Sequence, residues 1–295
     1  MEELLGKPVA EEIEKECVAF LAERPGVMPA LALIRVGERT EDVTYEKAIK
    51  KRFLSFGLEV KSYQLPADCS NEQFQEVIQF LNGDEEIHGI MVFRPLPSHL
   101  DQETAFRMIK REKDVEGVSR ESMAGLILKD ESAFAPCTAQ AVMEMCHFYN
   151  ISLEGKEVCI LGRSLVVGRP LSILMTNENA TVTLCHSKTA NLKEVTKRAD
   201  ILVCCMGKAK AIGSSYCKKD ATVIDVGTNR DEKGNLVKSE KIGYSNYPAQ
   251  VGVVRVGAAK AAKPSKPGQV APKPQQQAPA PAPGGGQSAS PGAGA

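Results

Sequence analysis

Apolar residues recur at helical spacing over 9–21 (Val9, Ile13, Cys17, Phe20, Leu21), and a proline-bounded apolar run over 30–36 follows. This order predicts a helix and then a buried strand. The pattern continues with a helix over 44–56 and a strand over 58–65. Ser70 and Gln73 then form a capping box that opens a helix ending near Asn82-Gly83, and a strand follows over 87–92. A second round starts after Pro136, with a helix over 138–149, a strand over 157–161 and a helix from about Val167. It goes on through a strand over 181–185, a helix over 192–198 and strands over 201–205 and 222–226. Strands alternating with long helices predict mainly parallel, helix-covered sheets, and the second half reads as a βαβαβ nucleotide fold.

The chain is therefore expected to be an α/β protein of two domains, residues 1–135 and 136–257, which its length of 295 residues accommodates. From Ala258 the composition turns to Ala, Pro, Gly, Gln and Lys, so residues 258–295 are expected to be a disordered low-complexity tail. Its lysines could meet a polyanion, but a solvated linker is the plainer reading of that composition.

Charge and composition then narrow the function. Lys plus Arg and Asp plus Glu both number 37, so no global field favours nucleic acid or an anionic membrane, and the partner is expected to be small. The nine cysteines include no CxxC pair and the four histidines no HxxxH spacing. Neither a disulfide framework nor a metal site is expected, and the cysteine usage fits a reducing cytoplasm. The N-terminus is acidic and amphipathic rather than signal-like, and no apolar run reaches the roughly 20 residues of a membrane span.

One segment carries candidate chemistry. The strand at 158–161 runs straight into Gly162-Arg163-Ser164-Leu165-Val166-Val167-Gly168-Arg169-Pro170, which opens a helix. Glycines at such a turn let backbone approach a pyrophosphate, and the helix N-terminus supplies open N–H groups, although the spacing is not GxGxxG and a plain turn would look similar. A cofactor carrying a bare ribose would want an acidic residue at the end of the second strand, whereas Cys185-His186-Ser187-Lys188-Thr189 stands there. With Arg163 nearby, this hydroxyl-bearing basic end suits a 2′-phosphate, so NADP is a better match than NAD. His186 and Lys188 each also read as ordinary loop residues.

GRSLVVGRP at 162–170, NATVTLCHSKT at 179–189, ADILVCCMGKA at 199–209 and VIDVG at 223–227 together resemble the cofactor domain of the methylenetetrahydrofolate dehydrogenase/cyclohydrolases. The first half agrees through GKPVA at 6–10, VGER with Tyr45 downstream, HGIMV and PLP within 88–97, KDVEG at 113–117 and PCT at 136–138. The resemblance implies a cytoplasmic homodimer with NADP as cofactor and a tetrahydrofolate one-carbon substrate in the cleft between the domains. It further implies that Gly162, Arg163, Ser164, Gly168, Ser187 and Thr228 hold NADP, that Tyr45 meets the pterin side of the substrate, and that Asp114 and Glu116 hold its ring nitrogens.

Several positions depart from the family's pattern. The family's lysine one helical turn beyond the tyrosine is Ile49 here, and Lys47, Lys50 and Lys51 lie about 200°, 140° and 120° round the helix from Tyr45. The glutamine before the PLP motif is Phe93, followed by Arg94, and the second aspartate of the loop is Glu116. Near the end, Leu236-Val237-Lys238-Ser239 and Pro248-Ala249-Gln250-Val251-Gly252 replace segments richer in aspartate and glycine. Losing hydride from a carbon between two nitrogens needs mainly positioning, whereas hydrolysing the resulting cation needs placed proton-transfer groups. The dehydrogenase is therefore expected to outlast the cyclohydrolase. A relative that binds nucleotide but turns over nothing, and a Rossmann oxidoreductase acting on another substrate, remain the rival readings.

Overall fold

A computed structural model describes residues 3–206, 211–226 and 253–255. A short strand β1 (Glu3–Leu5) leads into helix α1 (Gly6–Ala22). The next elements are β2 (Ala30–Val36), α2 (Thr40–Leu54), β3 (Glu59–Leu65), α3 (Asn71–Gly83) and β4 (Gly89–Val92). Their strands form a parallel sheet in the order β3-β2-β4. All seven residues of β2 are buried, because its two faces serve two cores. Ala30, Ala32, Ile34 and Val36 meet Phe74, Ile78 and Leu81 of α3, while Leu31 and Leu33 on the opposite face meet Ile49 and Phe93. A central strand covered on both sides reads as a continuous apolar run for this reason. The capping box expected at Ser70 and Gln73 forms in both directions.

Arg35 is the exception in that run. It is buried and donates Nε–H to Glu46 Oε2 at 2.8 Å, while Ser62 Oγ at 2.6 Å and Lys50 Nζ at 2.7 Å serve Glu46 Oε1. Burial pushes the Glu46 carboxyl up, but the bonds from Lys50, Ser62 and Arg35 more than cancel this and hold it at about 2.

Two short helices, α4 (Gln102–Met108) and α5 (Arg120–Ile127), precede α6 (Cys137–Phe148). The second sheet follows from β5 (Glu157–Leu161), α7 (Gly168–Asn177), β6 (Thr181–Cys185), α8 (Leu192–Thr196), β7 (Ile201–Cys204), β8 (Thr222–Asp225) and β9 (Val253–Arg255). Its order is β1-β9-β8-β7-β5-β6, and every pairing is parallel. Val158, Ile160, Ile201, Val203 and Ile224 face a core with α6 and α7, and Cys159, Leu161, Leu202, Cys204 and Val223 face another with Leu192 and Val195.

The N-terminal segment crosses from the first half to the second sheet: β1 completes that sheet, and Val9 and Ile13 of α1 pack into the second core. Tyr149 fixes this crossing, donating its hydroxyl to Leu5 O at 2.7 Å and accepting from Leu5 N at 3.1 Å. A second link joins α5 to α7, with Asn177 Nδ2 donating to Leu126 O at 2.8 Å and Lys129 Nζ to Asn177 O at 3.2 Å. The altered segments at 236–239 and 248–252 and the tail at 258–295 lie outside the described residues. Among the described residues, no helix is long and apolar enough to cross a membrane.

Candidate functional site

Tyr45 lies on α2 and meets Phe93, just past β4, edge to face with ring centroids 5.9 Å apart. Ile49, one turn along on the same face, is 1 % exposed and packs in one cluster with Leu31, Leu33, Phe93 and Tyr45. The two positions where lysine and glutamine were missed are thus neighbours. An apolar pair stands where the family's pattern has a polar pair, so these two side chains bring no donor or acceptor of their own into the core. None of the nearby lysines fills the gap: Lys47 and Lys51 are exposed, and Lys50 is engaged with Glu46.

Two loops supply the charges, Arg94 in the one after β4 and Asp114 and Glu116 in the one after α4. The second runs beside β4 through a parallel bridge between Ile90 and Asp114, and Gly117 then turns at φ +60°, where an added Cβ would lie 2.4 Å from Phe134 O. Asp114 is fully buried, and its carboxylate accepts from Val118 N at 3.1 Å, Ser119 N at 2.8 Å and Ser122 Oγ at 2.7 Å. These bonds tie the loop to the start of α5 and occupy both oxygens, so the expected pairing of Asp114 with a substrate does not match its surroundings.

Glu116 is placed differently. Its Oε1 accepts from the Arg94 guanidinium at 3.5 Å, while Oε2 is buried with no hydrogen-bond partner. Burial raises the Glu116 carboxyl above its ordinary value and Asp114 adds to this, while Arg94 offsets it only in part. Burial likewise holds the Tyr45 phenol well above its ordinary value, with Glu116 adding to the effect. Sequence reasoning gave no role to Cys137, which opens α6 and donates Sγ–H to Val115 O at 3.4 Å. Burial and then Glu116 push its thiol up to about 12, which makes it a poor nucleophile. Its place in the PCT motif was the available signal. Tyr45, Phe93, Arg94, Glu116 and Cys137 therefore lie close together, and one carboxylate oxygen of Glu116 among them has no partner.

The phosphate-type turn lies at the ends of β5 and β6. Gly162 takes φ +129° and donates its N–H to Cys185 O at 2.9 Å. A Cβ on Gly168 would lie 1.8 Å from Gly162 O, so only glycine allows the turn to close against the start of α7. Ser164 Oγ accepts from Val167 N at 3.2 Å, and Arg163 and Ser164 are exposed. Ser187 and Lys188 are exposed past the neighbouring strand, and Lys188 N donates to His186 Nδ1 at 3.2 Å. Thr228 lies outside the described residues. A glycine turn closed on a helix N-terminus, flanked by a guanidinium, an ammonium and hydroxyls, fits a dinucleotide bearing an extra phosphate. Among the described residues, no group of three or more His, Cys, Asp or Glu could hold a metal ion.

Residues 4–116 match the tetrahydrofolate dehydrogenase/cyclohydrolase catalytic domain, and residues 136–260 match the NAD(P)-binding domain of the same family. The chain is 43 % identical over 233 residues to the bifunctional protein FolD of Clostridioides difficile, covering 78 % of this chain and 81 % of that protein. It is 42 % identical over 261 residues to FolD of Dictyoglomus thermophilum, covering 85 % and 92 %. Among solved structures, the bifunctional FolD methylenetetrahydrofolate dehydrogenase/cyclohydrolase of Campylobacter jejuni superposes with a TM-score of 0.79 at 32 % identity, covering 86 % of this chain and 90 % of that one. The Trypanosoma brucei enzyme, complexed with NADP cofactor and inhibitor, gives 0.74 at 30 % identity, covering 85 % and 87 %.

Proposed function

The chain belongs to the tetrahydrofolate dehydrogenase/cyclohydrolase family, and from that premise we propose that it oxidises 5,10-methylenetetrahydrofolate to the methenyl form with NADP and hydrolyses the product to 10-formyltetrahydrofolate more slowly. NADP, when bound, would supply the hydride acceptor. Gly162 and Gly168 hold the turn open to the pyrophosphate, Arg163, Ser164, Ser187 and Lys188 meet its phosphates, and Thr228 completes the set. Glu116 offers its free oxygen to the N–H edge of the pterin, and Tyr45 lies against the ring. Asp114 acts at one remove by holding the loop that carries Glu116. The chain works as a homodimer in the cytoplasm.

One observation carries the uneven split between the two activities: Ile49 is 1 % exposed and packed against Phe93 beside Tyr45, where an ammonium and an amide would otherwise manage protons. An apolar wall orients a folate and excludes water, which serves hydride loss. It supplies no group to move protons to or from attacking water. Both rates measured on the purified protein test this. Methenyltetrahydrofolate should accumulate transiently during turnover with NADP, and hydrolysis as fast as its formation would contradict the reading. Nothing in the comparisons favours a relative that binds without turnover.

A further inference from the structure

The carboxylate of Glu116 and the guanidinium of Arg94 form a pair that the proposed chemistry uses only in part. Arg94 reaches Glu116 Oε1 at 3.5 Å with 26 % of its side chain exposed, and its guanidinium carbon stands 5.7 Å from the Phe106 ring centroid. The other carboxylate oxygen is buried and without a partner. An ionised carboxylate in such a place is costly unless a cation offsets it, and an orphaned oxygen is costly until a donor arrives.

We propose that Arg94 is a positioning residue for folate recognition: it holds Glu116 as a carboxylate turned so that Oε2 meets a ligand edge bearing N–H donors. The proposal rests on the folate reading above and deepens it. The other side chains facing Glu116 work against ionisation or are neutral. Asp114, on the same loop, raises the carboxyl, while Tyr45 of α2 and Cys137 of α6 are uncharged neighbours whose own ionisation Glu116 opposes. The Val92 N–H of β4 favours the carboxylate more weakly than Arg94 does. Arg94 is thus the cation that offsets burial at this carboxyl, although burial remains the larger effect. A neutral acid would present a hydroxyl donor to a donor edge, so losing the cation should weaken folate binding most where the carboxyl is protonated.

The test compares the unsubstituted protein with Arg94→Leu and Arg94→Lys, using tetrahydrofolate as the probe. Its dissociation constant is measured from pH 5.5 to 9, beside a carboxyl ¹³C NMR titration of Glu116 assigned through Glu116→Gln. For Arg94→Leu the Glu116 midpoint should rise, and folate affinity at pH 7 should fall on the order of tenfold, recovering as the pH rises. Arg94→Lys should retain most of the affinity and the melting temperature, NADP affinity should hold in both variants, and Arg94→Leu should melt lower at neutral pH, where the buried carboxyl has lost its cation, with the loss shrinking as pH falls. An unmoved Glu116 midpoint in Arg94→Leu, or a loss equal at every pH, would overturn the proposal. An unsubstituted protein that binds no tetrahydrofolate would sink the folate reading instead, and the carboxyl titration would still decide whether Arg94 sets the charge of Glu116.

Discussion

Placing a lysine at position 49 separates the apolar wall from the chemistry it displaces. Ile49 is 1 % exposed among Leu31, Leu33, Phe93 and Tyr45, so Ile49→Lys puts an ammonium into an apolar cluster. A free lysine titrates near 10.4 and a buried one falls by roughly 3–5 units. At pH 7 the amine must then be neutralised, at about 1.4 kcal/mol per unit, or about 4–5 kcal/mol in all. That corresponds to a melting point lower by roughly 10–15 °C. The sign follows from linkage. The folded-state value lies below the unfolded one, so the penalty is present below about pH 10 and fades as pH rises towards it, to about 1 kcal/mol near pH 9.5.

Phe93→Gln in the same protein opens volume beside position 49 and supplies an amide partner. The double variant should therefore melt higher than Ile49→Lys alone and hydrolyse methenyltetrahydrofolate faster than the unsubstituted protein, with the dehydrogenase rate changing less. Melting curves at pH 7 and 9.5, run beside both rates, are the assay. An Ile49→Lys single variant that melts like the parent at pH 7 would refute the claim that this face is closed. A well-folded double variant with no gain in hydrolysis would refute the assignment of the proton-handling position.

Three further outcomes are expected. Glu46→Gln should cost about 3 kcal/mol of stability at neutral pH, because the carboxyl is held at about 2; the depressed value makes this contribution fade as pH falls from about 4.5 towards 2, so acid melts of the two proteins should converge. Gly168→Ala, whose Cβ would lie 1.8 Å from Gly162 O, should cost about 2–3 kcal/mol or more and weaken NADP binding at least roughly tenfold, read by melting and by equilibrium titration. Arg163→Ala should lower kcat/KM for NADP by roughly 10- to 100-fold while NAD changes little, since a lost charge-assisted contact is worth about 1.5–3 kcal/mol; an equal loss for both would show that Arg163 does not read the extra phosphate.

What the sequence determined by itself was whatever local chemistry dictates. The continuous apolar run of β2 requires burial on both faces, and Ser70 with Gln73 must cap α3 because the reciprocal bonds span only one turn. The turn from Gly162 to Gly168 was legible because strand, glycine and helix adjoin in the chain. The departures at Ile49 and Phe93 were legible too, as the wrong residue types in a resembling pattern. The three-residue strands β1 and β9 were not, since so few residues carry no periodicity and their pairing joins segments at opposite ends of the chain. Helices α4 and α5 were missed for the same want of length, although Asp101 and Ser119 cap them as their types suggest. Asp114 and Glu116 look equivalent in KDVEG, and only the folded loop separates them: one carboxylate is saturated by N–H and O–H donors, and the other keeps an oxygen free. Likewise, only packing brings Ile49 against Phe93 and Arg94 against Glu116, because each pair is distant along the chain and is joined by the parallel crossover from α2 through β3 and α3 to β4 and by the loop that follows it.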